Sequence, residues 1–220
     1  MINTSRRPRL HRKSEAGFTI LELLVATIVF SVVLLLVTAG IMQIARVYYK
    51  GVTESNTQNT ARAIIDTVAQ AIQFSGGDVT LTPVGPAPGN DYAFCVGNEQ
   101  FSFRLGWQVE DRHSIADNQT WHALAQRTIS GGGSSCSTPQ ILTNQAIVGR
   151  DLMGQHMRLS NLEITSPSPN LYRVKVRVVY GDNDLLSNPT GTNAACKGLE
   201  AGSQFCSVSE LSTIVVKRVQ

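Results

Sequence analysis

The stretch of sequence that decides the fold reads FTILELLVATIVFSVVLLLVTAGIMQIA, from Phe18 to Ala45. Its only ionisable side chain is that of Glu22, and the 23 residues from Leu23 to Ala45 are all uncharged. As a helix these residues would extend about 30–35 Å, which matches the hydrocarbon core of a bilayer. The run has no proline, and it lacks the polar face that a surface helix of a soluble protein shows. We therefore expect a transmembrane helix over residues 18–45.

The charges on either side of this run predict its orientation. Five basic residues precede it, whereas only Arg46 and Lys50 follow it closely. This bias places the N-terminus in the cytoplasm and everything after residue 45 outside. A cleaved secretory signal peptide is the alternative, but residues 43–48 contain no A-x-A-like cleavage motif. The five preceding basic residues are Arg6, Arg7, Arg9, Arg12 and Lys13.

The net charge of the chain is concentrated in the same N-terminal tract. The 220 residues carry a formal charge of +3, of which residues 1–17 contribute +4 and the other residues −1. Hydrophobic residues make up 42% of the chain, which suits one packed core and excludes a polytopic membrane protein, a disordered chain and a small disulfide scaffold. The basic character is therefore a topology signal rather than evidence for nucleic-acid binding.

The junction at the start of the apolar run resembles the signature of type IV prepilins and type II secretion pseudopilins. Members of this family have a basic leader ending in glycine, then phenylalanine, then an apolar helix whose fifth residue is glutamate. Gly17, Phe18 and Glu22 match these positions. The resemblance implies that a prepilin peptidase cleaves between Gly17 and Phe18, removes the leader of residues 1–17 and N-methylates Phe18.

Glu22 is the chemically unusual residue of the run. A carboxylate inside an apolar segment is costly, and it indicates a functional site by default. The resemblance implies that its partner is the amino-terminal ammonium of Phe18 in a neighbouring subunit, so that the pair sets the axial register between helices. The alternative is a glutamate that reaches the interface or is protonated.

The helical pattern continues beyond the apolar run with a changed composition. Apolar residues recur at intervals of three and four, so Thr57–Ser75 reads as an amphipathic helix that ends at Gly76-Gly77. One helix could include both the transmembrane half, 18–45, and the amphipathic half, 46–75. The alternative is a break near Gly51–Asn59, where weak helix formers are concentrated. The recurring apolar residues are Ala61, Ile64, Ile65, Val68, Ala69 and Ile72.

Residues 76–220 are predicted to form a β-rich head outside the membrane. A loop rich in proline and glycine comes first, over 82–91, and short β-type runs follow it. Basic residues alternate with valine in Leu171–Tyr180, and Thr213–Val219 is expected to pair with this strand. A long helix laid on an antiparallel sheet makes the predicted fold α+β and pilin-like. The expected strands are Tyr92–Val96, Gln100–Val109, Trp121–Thr128, Ile141–Val148, Met157–Ile164, Leu171–Tyr180 and Leu211–Val219.

Four cysteines lie on the side that the topology argument places outside the cell. An even count in an oxidising compartment suggests disulfides, with three connectivities open. We favour Cys196–Cys206 and Cys95–Cys136, because both pairs enclose turn-rich segments, and a C-terminal disulfide loop is common in the resembled family. Free buried thiols are the alternative. A zinc site is disfavoured, since no Cys-x-x-Cys motif or neighbouring histidine supports it.

The remaining motifs are weak. His113, His122 and His156 are scattered, and no nucleophile has a supporting motif, so no catalysis, cofactor or metal is expected. Residues 131–135 lack the lysine of a phosphate loop. Asp182-Asn183-Asp184 offers too few ligands for calcium, and a hairpin turn is the favoured interpretation.

The resemblance therefore implies a minor subunit of a pilus or a type II secretion pseudopilus, loosely similar to PilW-type minor pilins and J-type pseudopilins. Its implied partners are other pilin or pseudopilin subunits, the prepilin peptidase, the inner-membrane assembly platform and, before assembly, membrane lipid. One alternative is an exported adhesin or sensor that stays anchored and is not polymerised. Another is a DNA-uptake pilin that binds nucleic acid through Arg173, Lys175 and Arg177, with Lys217 and Arg218 adjacent, although the mature chain is slightly acidic.

Overall fold

A computed structural model describes residues 17–74, 79, 82–83, 91–108, 123–129, 150–198 and 202–218. The chain divides into two compact units, the first ending at Ala45 and the second beginning at Arg46. The first described element, α1, is a helix over Ile20–Phe74 that runs through the boundary. The fold is α+β, as predicted, since antiparallel strands make up the rest of the described regular structure apart from two short 3-10 turns.

In the first unit the large apolar side chains of α1 are exposed. Leu35 is 70% exposed and Leu36 is 69% exposed, and the described residues of this unit include no buried one. Within the described residues, α1 is the one helix long and apolar enough to cross a membrane. Its composition and its place near the N-terminus suit a membrane anchor.

In the second unit α1 is amphipathic. Its buried positions recur at helical spacing, and the break considered near Gly51–Asn59 is absent. Two threonines in that region are buried and bond within the helix: Thr53 Oγ1 donates to Tyr49 O at 2.8 Å, and Thr57 Oγ1 to Thr53 O at 2.7 Å. Burial and satisfied hydroxyls thus outweigh their low helix propensity. The buried residues are Thr53, Thr57, Ala61, Ile64, Ile65, Val68 and Ile72.

Ten strands follow α1 within the described residues. Strands β1 to β5 form a five-stranded sheet in sequence order, β10-β7-β6 form a three-stranded sheet, and β8 pairs with β9. Every strand pair is antiparallel. The strands are β1 Thr82–Pro83, β2 Asp91–Val96, β3 Glu99–Arg104, β4 Leu124–Thr128, β5 Arg150–Asp151, β6 Met157–Ser168, β7 Leu171–Tyr180, β8 Leu186–Ser187, β9 Ala195–Cys196 and β10 Ser207–Val216.

Most expected strands are present with shifted ends. The predicted Leu171–Tyr180 strand matches β7 at both ends, and β10 pairs with it from Ser207↔Tyr180 to Val216↔Leu171. β3 ends at Arg104 rather than continuing to Val109, because the chain turns at Leu105-Gly106. The expected Ile141–Val148 strand lies outside the described residues.

The main core lies between α1 and the two larger sheets. Ile64, Val68 and Ile72 of α1 share one buried cluster with residues of both sheets. Phe94 stacks on Phe101 in this cluster, with ring centroids 4.8 Å apart. A smaller cluster packs residues 185–196 against the other face of the three-stranded sheet, through Val179, Leu186, Ala194 and Cys206.

Candidate functional site

The N-terminus of α1 is the first candidate site, and a reciprocal capping arrangement builds it. Thr19 precedes the first helical residue, and its Oγ1 accepts a hydrogen bond from the Glu22 backbone N–H at 3.2 Å. Glu22 Oε2 in turn accepts from the Thr19 backbone N–H and from Thr19 Oγ1, both at 2.9 Å. This is a capping box, in which the two residues satisfy each other's otherwise unpaired donors. Glu22 therefore stabilises the start of its own helix.

The predicted cleavage junction lies directly before this cap. Phe18 is 86% exposed, and no described atom lies within 4 Å of the place where a Cβ would stand on Gly17. Gly17, Phe18 and Glu22 thus lie within six residues, with the junction preceding the first turn of α1. A protease could reach the Gly17–Phe18 peptide bond without unfolding any described regular element.

This arrangement coincides with a recognised sequence family signature. Residues 12–38 match the prokaryotic N-terminal methylation motif. The motif is the signature of type IV prepilins and pseudopilins, so the resemblance seen in the sequence is confirmed for this segment. No curated protein and no solved structure matches the chain.

The capping role of Glu22 was missed by the sequence analysis, although its signal is present. Thr19-x-x-Glu22 directly before an apolar run is the capping-box pattern at the sequence level. Glu22 was interpreted as a charge in an apolar run, and its capping hydrogen bonds within its own chain were not predicted.

A second candidate region is the segment of residues 182–206, which connects β7 to β10. Cys196 and Cys206 form a disulfide across it, with Cα atoms 5.8 Å apart, which is one of the two favoured pairings. Cys95 is also disulfide-bonded. Its favoured partner, Cys136, lies outside the described residues.

Arg158 anchors the 182–206 segment to the sheet. The side chain is 1% exposed; Nη1 donates to Asn183 Oδ1 at 2.6 Å, and Nη2 donates to Gly181 O at 2.9 Å and to Gln108 Oε1 at 3.0 Å. Burial lowers the pKa of the Arg158 guanidinium, and the charge of Asp182 partly offsets this shift. A buried arginine that donates to neutral acceptors at residue 108 and at residues 181–183 holds these two segments to β6.

The acidic turn that was considered for calcium is part of this network. Hydrogen bonding from Gln108, and then from His156, lowers the pKa of Asp182. Asp182 Oδ1 accepts from Gln108 Nε2 at 3.0 Å and lies 3.2 Å from His156 Nδ1. Asn183–Leu185 forms a 3-10 turn that leads away to β8, so the expected hairpin was wrong. The described residues contain no group of three or more potential metal-ligating side chains.

The other predicted residues are less informative. His156 is exposed and lies beside Asp182, whereas His113, His122 and residues 131–135 lie outside the described residues. The structure therefore brings Gly17, Phe18 and Glu22 together at one end of α1, and places the Cys196–Cys206 disulfide in the second unit.

The basic stripe considered for DNA is partly neutralised. Lys175 Nζ lies 2.8 Å from Glu210 Oε1, and Arg177 Nη1 lies 2.9 Å from Glu210 Oε2. Arg177 Nη2 also donates to Ala194 O at 2.9 Å. Two of the three cations of the stripe are thus engaged within the protein.

This pairing predicts a pH dependence. Hydrogen bonding from Lys175, and then from Arg177, lowers the pKa of Glu210 below its ordinary value. The stabilisation is therefore present above the unfolded-state pKa of about 4.3 and is lost as the pH falls through the lower folded-state pKa. Glu210→Gln should lower stability at pH 7 by at most about 1 kcal/mol, because the pair is partly exposed.

Thermal unfolding of the full chain in detergent at pH 7 and at acid pH tests this expectation. The difference between the parent and Glu210→Gln should shrink on acidification. Glu54→Gln, an exposed carboxylate of α1, is the matched control. A difference for Glu210→Gln that persists unchanged at acid pH would contradict the ion-pair explanation.

Proposed function

We propose that the chain is a minor subunit of a type IV pilus or of a type II secretion pseudopilus, synthesised as a membrane-anchored precursor. The observation that carries the proposal is the match of residues 12–38 to the N-terminal methylation motif. The exposed apolar half-helix that begins within the motif supports the proposal, since such a surface needs either lipid or other apolar helices to cover it. The role is structural, not catalytic.

The proposed life cycle has two stages. The apolar run first holds the precursor in the cytoplasmic membrane, with residues 1–17 in the cytoplasm and residues 46–220 outside. Prepilin peptidase then removes the leader and methylates Phe18, which takes away the five basic leader residues. The shortened helix can leave the bilayer through the inner-membrane assembly platform and pack among the helices of other subunits.

Glu22 and Phe18 are proposed to guide this packing. A buried carboxylate is stabilised only when it is paired, and cleavage creates an ammonium group on Phe18 four residues before it. Pairing between the Glu22 carboxylate of one subunit and the Phe18 amine of its neighbour would neutralise both charges and fix their axial register. The capping bonds to Thr19 would orient the carboxylate for this contact.

Mass spectrometry of the protein isolated from cells that contain a prepilin peptidase tests the proposal. We expect an N-terminus at Phe18 that carries the mass of one added methyl group. Gly17→Val should retain the whole leader, because the branched side chain removes the backbone freedom of glycine at the junction. Gly40→Val makes the same change within the apolar run and should be processed normally.

An intact Met1 terminus in the parent protein would contradict the pilin interpretation. It would favour an anchored domain that is exported but never polymerised.

A further inference from the structure

Three exposed aromatic side chains gather at the beginning of the second unit. Tyr48 and Tyr49 lie on α1, with ring centroids 6.0 Å apart. Phe205 comes from the 3-10 turn Ser203–Phe205, and its ring centroid lies 5.7 Å from that of Tyr49. The exposed fractions are 66% for Tyr48, 51% for Tyr49 and 43% for Phe205. More than 150 residues of chain separate Phe205 from Tyr49, so folding rather than sequence creates this aromatic cluster.

Rigid neighbours hold Phe205 in its exposed position. The next residue, Cys206, is fully buried and is bonded to Cys196. Lys50 Nζ donates a hydrogen bond to Cys206 O at 2.6 Å, which ties the loop to the helix one residue beyond Tyr49. The disulfide and the charge-assisted hydrogen bond of Cys206 hold the adjacent Phe205 ring at the surface. There the ring can contact a partner outside the head.

The position of the cluster in the chain identifies its partner. Tyr49 is four residues beyond Ala45, the last residue of the apolar run, so at most about 14 Å of extended chain separates the two residues. The headgroup layer on each side of the hydrocarbon core is about 5–8 Å thick. Tyrosine concentrates in this layer because its ring is apolar and its hydroxyl is polar.

The charges near the cluster suit the same layer. Arg46 is exposed and directly follows the apolar run, whereas the ammonium of Lys50 is already bonded to Cys206 O. A long basic side chain such as that of Arg46 can extend its charged group to phospholipid phosphates while its stem remains in apolar surroundings. An aromatic cluster close in the chain to an exposed arginine matches a phospholipid headgroup surface.

We propose that Tyr48, Tyr49 and Phe205 form a lipid-contacting surface that places the 3-10 turn Ser203–Phe205 on the phospholipid headgroups. The C-terminal loop thus contributes a membrane contact before assembly, and this contact must be given up when the subunit leaves the bilayer. The inference rests on the membrane insertion that belongs to the proposed function.

Tryptophan fluorescence of the full chain in vesicles tests this contact. The probe is Phe205→Trp in phosphatidylcholine and phosphatidylglycerol vesicles whose acyl chains carry bromine near the headgroup end, compared with unbrominated vesicles. The matched control is Ile214→Trp, because Ile214 is also exposed, at 58%. It lies eight residues along β10 from Cys206, a distance of about 27 Å. Trp107 and Trp121 contribute the same background to both variants.

The direction of β10 makes Ile214 a suitable control. The strand begins beside Lys50 of α1. Two residues after its end, Arg218 donates its backbone N–H to Gln73 O at 3.0 Å. Ile214 therefore lies near the C-terminal end of α1. We expect bromine to quench at least half of the fluorescence added by Phe205→Trp and almost none of that added by Ile214→Trp.

Two failures can be told apart by flotation of the vesicles and alkaline extraction. Protein that does not stay with the vesicles would overturn both membrane insertion and the lipid contact. Protein that is inserted but shows equal quenching at the two positions, or none at either, would overturn only the lipid contact.

Discussion

Replacing Glu22 with glutamine is expected to remove the protein from filaments while leaving the start of its helix intact. The glutamine amide oxygen can still accept the hydrogen bonds from the Thr19 backbone N–H and hydroxyl, since glutamine also serves in capping boxes. It has no negative charge to pair with the Phe18 ammonium of a neighbour. Loss of one partner from a buried ion pair costs about 3–5 kcal/mol, so incorporation should fall by at least tenfold.

Thr19→Ala is the matched control for the capping function. It removes the hydroxyl that bonds to Glu22 but keeps the carboxylate and its charge. Loss of the cap should cost about 1 kcal/mol of local helix stability, which the rest of α1 can absorb. We therefore expect Thr19→Ala to assemble nearly as well as the parent, and Glu22→Leu to fail as Glu22→Gln does.

Immunoblots of sheared filaments, normalised to the membrane-bound pool, measure incorporation for the four proteins. Mass spectrometry of the membrane pool shows whether each variant is still cleaved at Gly17–Phe18. Normal incorporation of Glu22→Gln or Glu22→Leu would contradict the register mechanism. Equal loss in Thr19→Ala and Glu22→Gln would assign the importance of Glu22 to capping instead.

Replacing Arg158 with methionine is expected to be strongly destabilising. Methionine fills much of the same volume but leaves the acceptors on Gly181, Asn183 and Gln108 without this donor. The buried Gly181 carbonyl then carries a desolvation penalty and the other two bonds are lost, so we expect a combined loss of about 3 kcal/mol in the free energy of unfolding. The thermal midpoint should fall by roughly 6–12 °C for a chain of this size.

Arg173→Met makes the same chemical change on β7, where the side chain is exposed. It should alter stability by no more than about 0.5 kcal/mol. Thermal unfolding of both variants in detergent, followed by circular dichroism, makes the comparison. A similar midpoint for Arg158→Met and Arg173→Met would show that the buried network contributes little.

The elements that the sequence predicts well are those with a regular pattern. β7 was predicted at both ends because valine alternates with basic residues from Leu171 to Tyr180. α1 was predicted as one helix because its apolar spacing continues past residue 60. The break considered near residue 51 is absent because Thr53 and Thr57 are buried, and propensity alone carries no information about burial.

The elements that were misjudged depend on contacts distant in sequence. β10 begins at Ser207, before the predicted Leu211, because pairing with β7 recruits the polar residues Ser207–Glu210 into the strand. The turn after β7 is not a hairpin, because Leu186 packs with Val179 and Cys206 in the smaller core cluster. A local sequence pattern does not show which distant residues will pair or pack with it.

The candidate site divides in the same way. The signature around Gly17, Phe18 and Glu22 is local and could be found in the sequence alone. Arg158 carries no such signal, since arginine is ordinarily exposed and its acceptors come from two stretches distant in the sequence, residue 108 and residues 181–183. The contact between Phe205 and Tyr49 likewise joins residues more than 150 positions apart, so it exists only in the folded chain.

The backbone bond from Arg218 to Gln73 has a practical consequence for labelling the protein. It brings Arg218 to the end of α1, about 35 Å by helix rise from the Lys50–Cys206 contact. A fluorophore attached at Arg218 would therefore lie far from the aromatic cluster and would leave the helix start unmodified. Under the proposed cleavage, by contrast, a label on residues 1–17 would be removed with the leader.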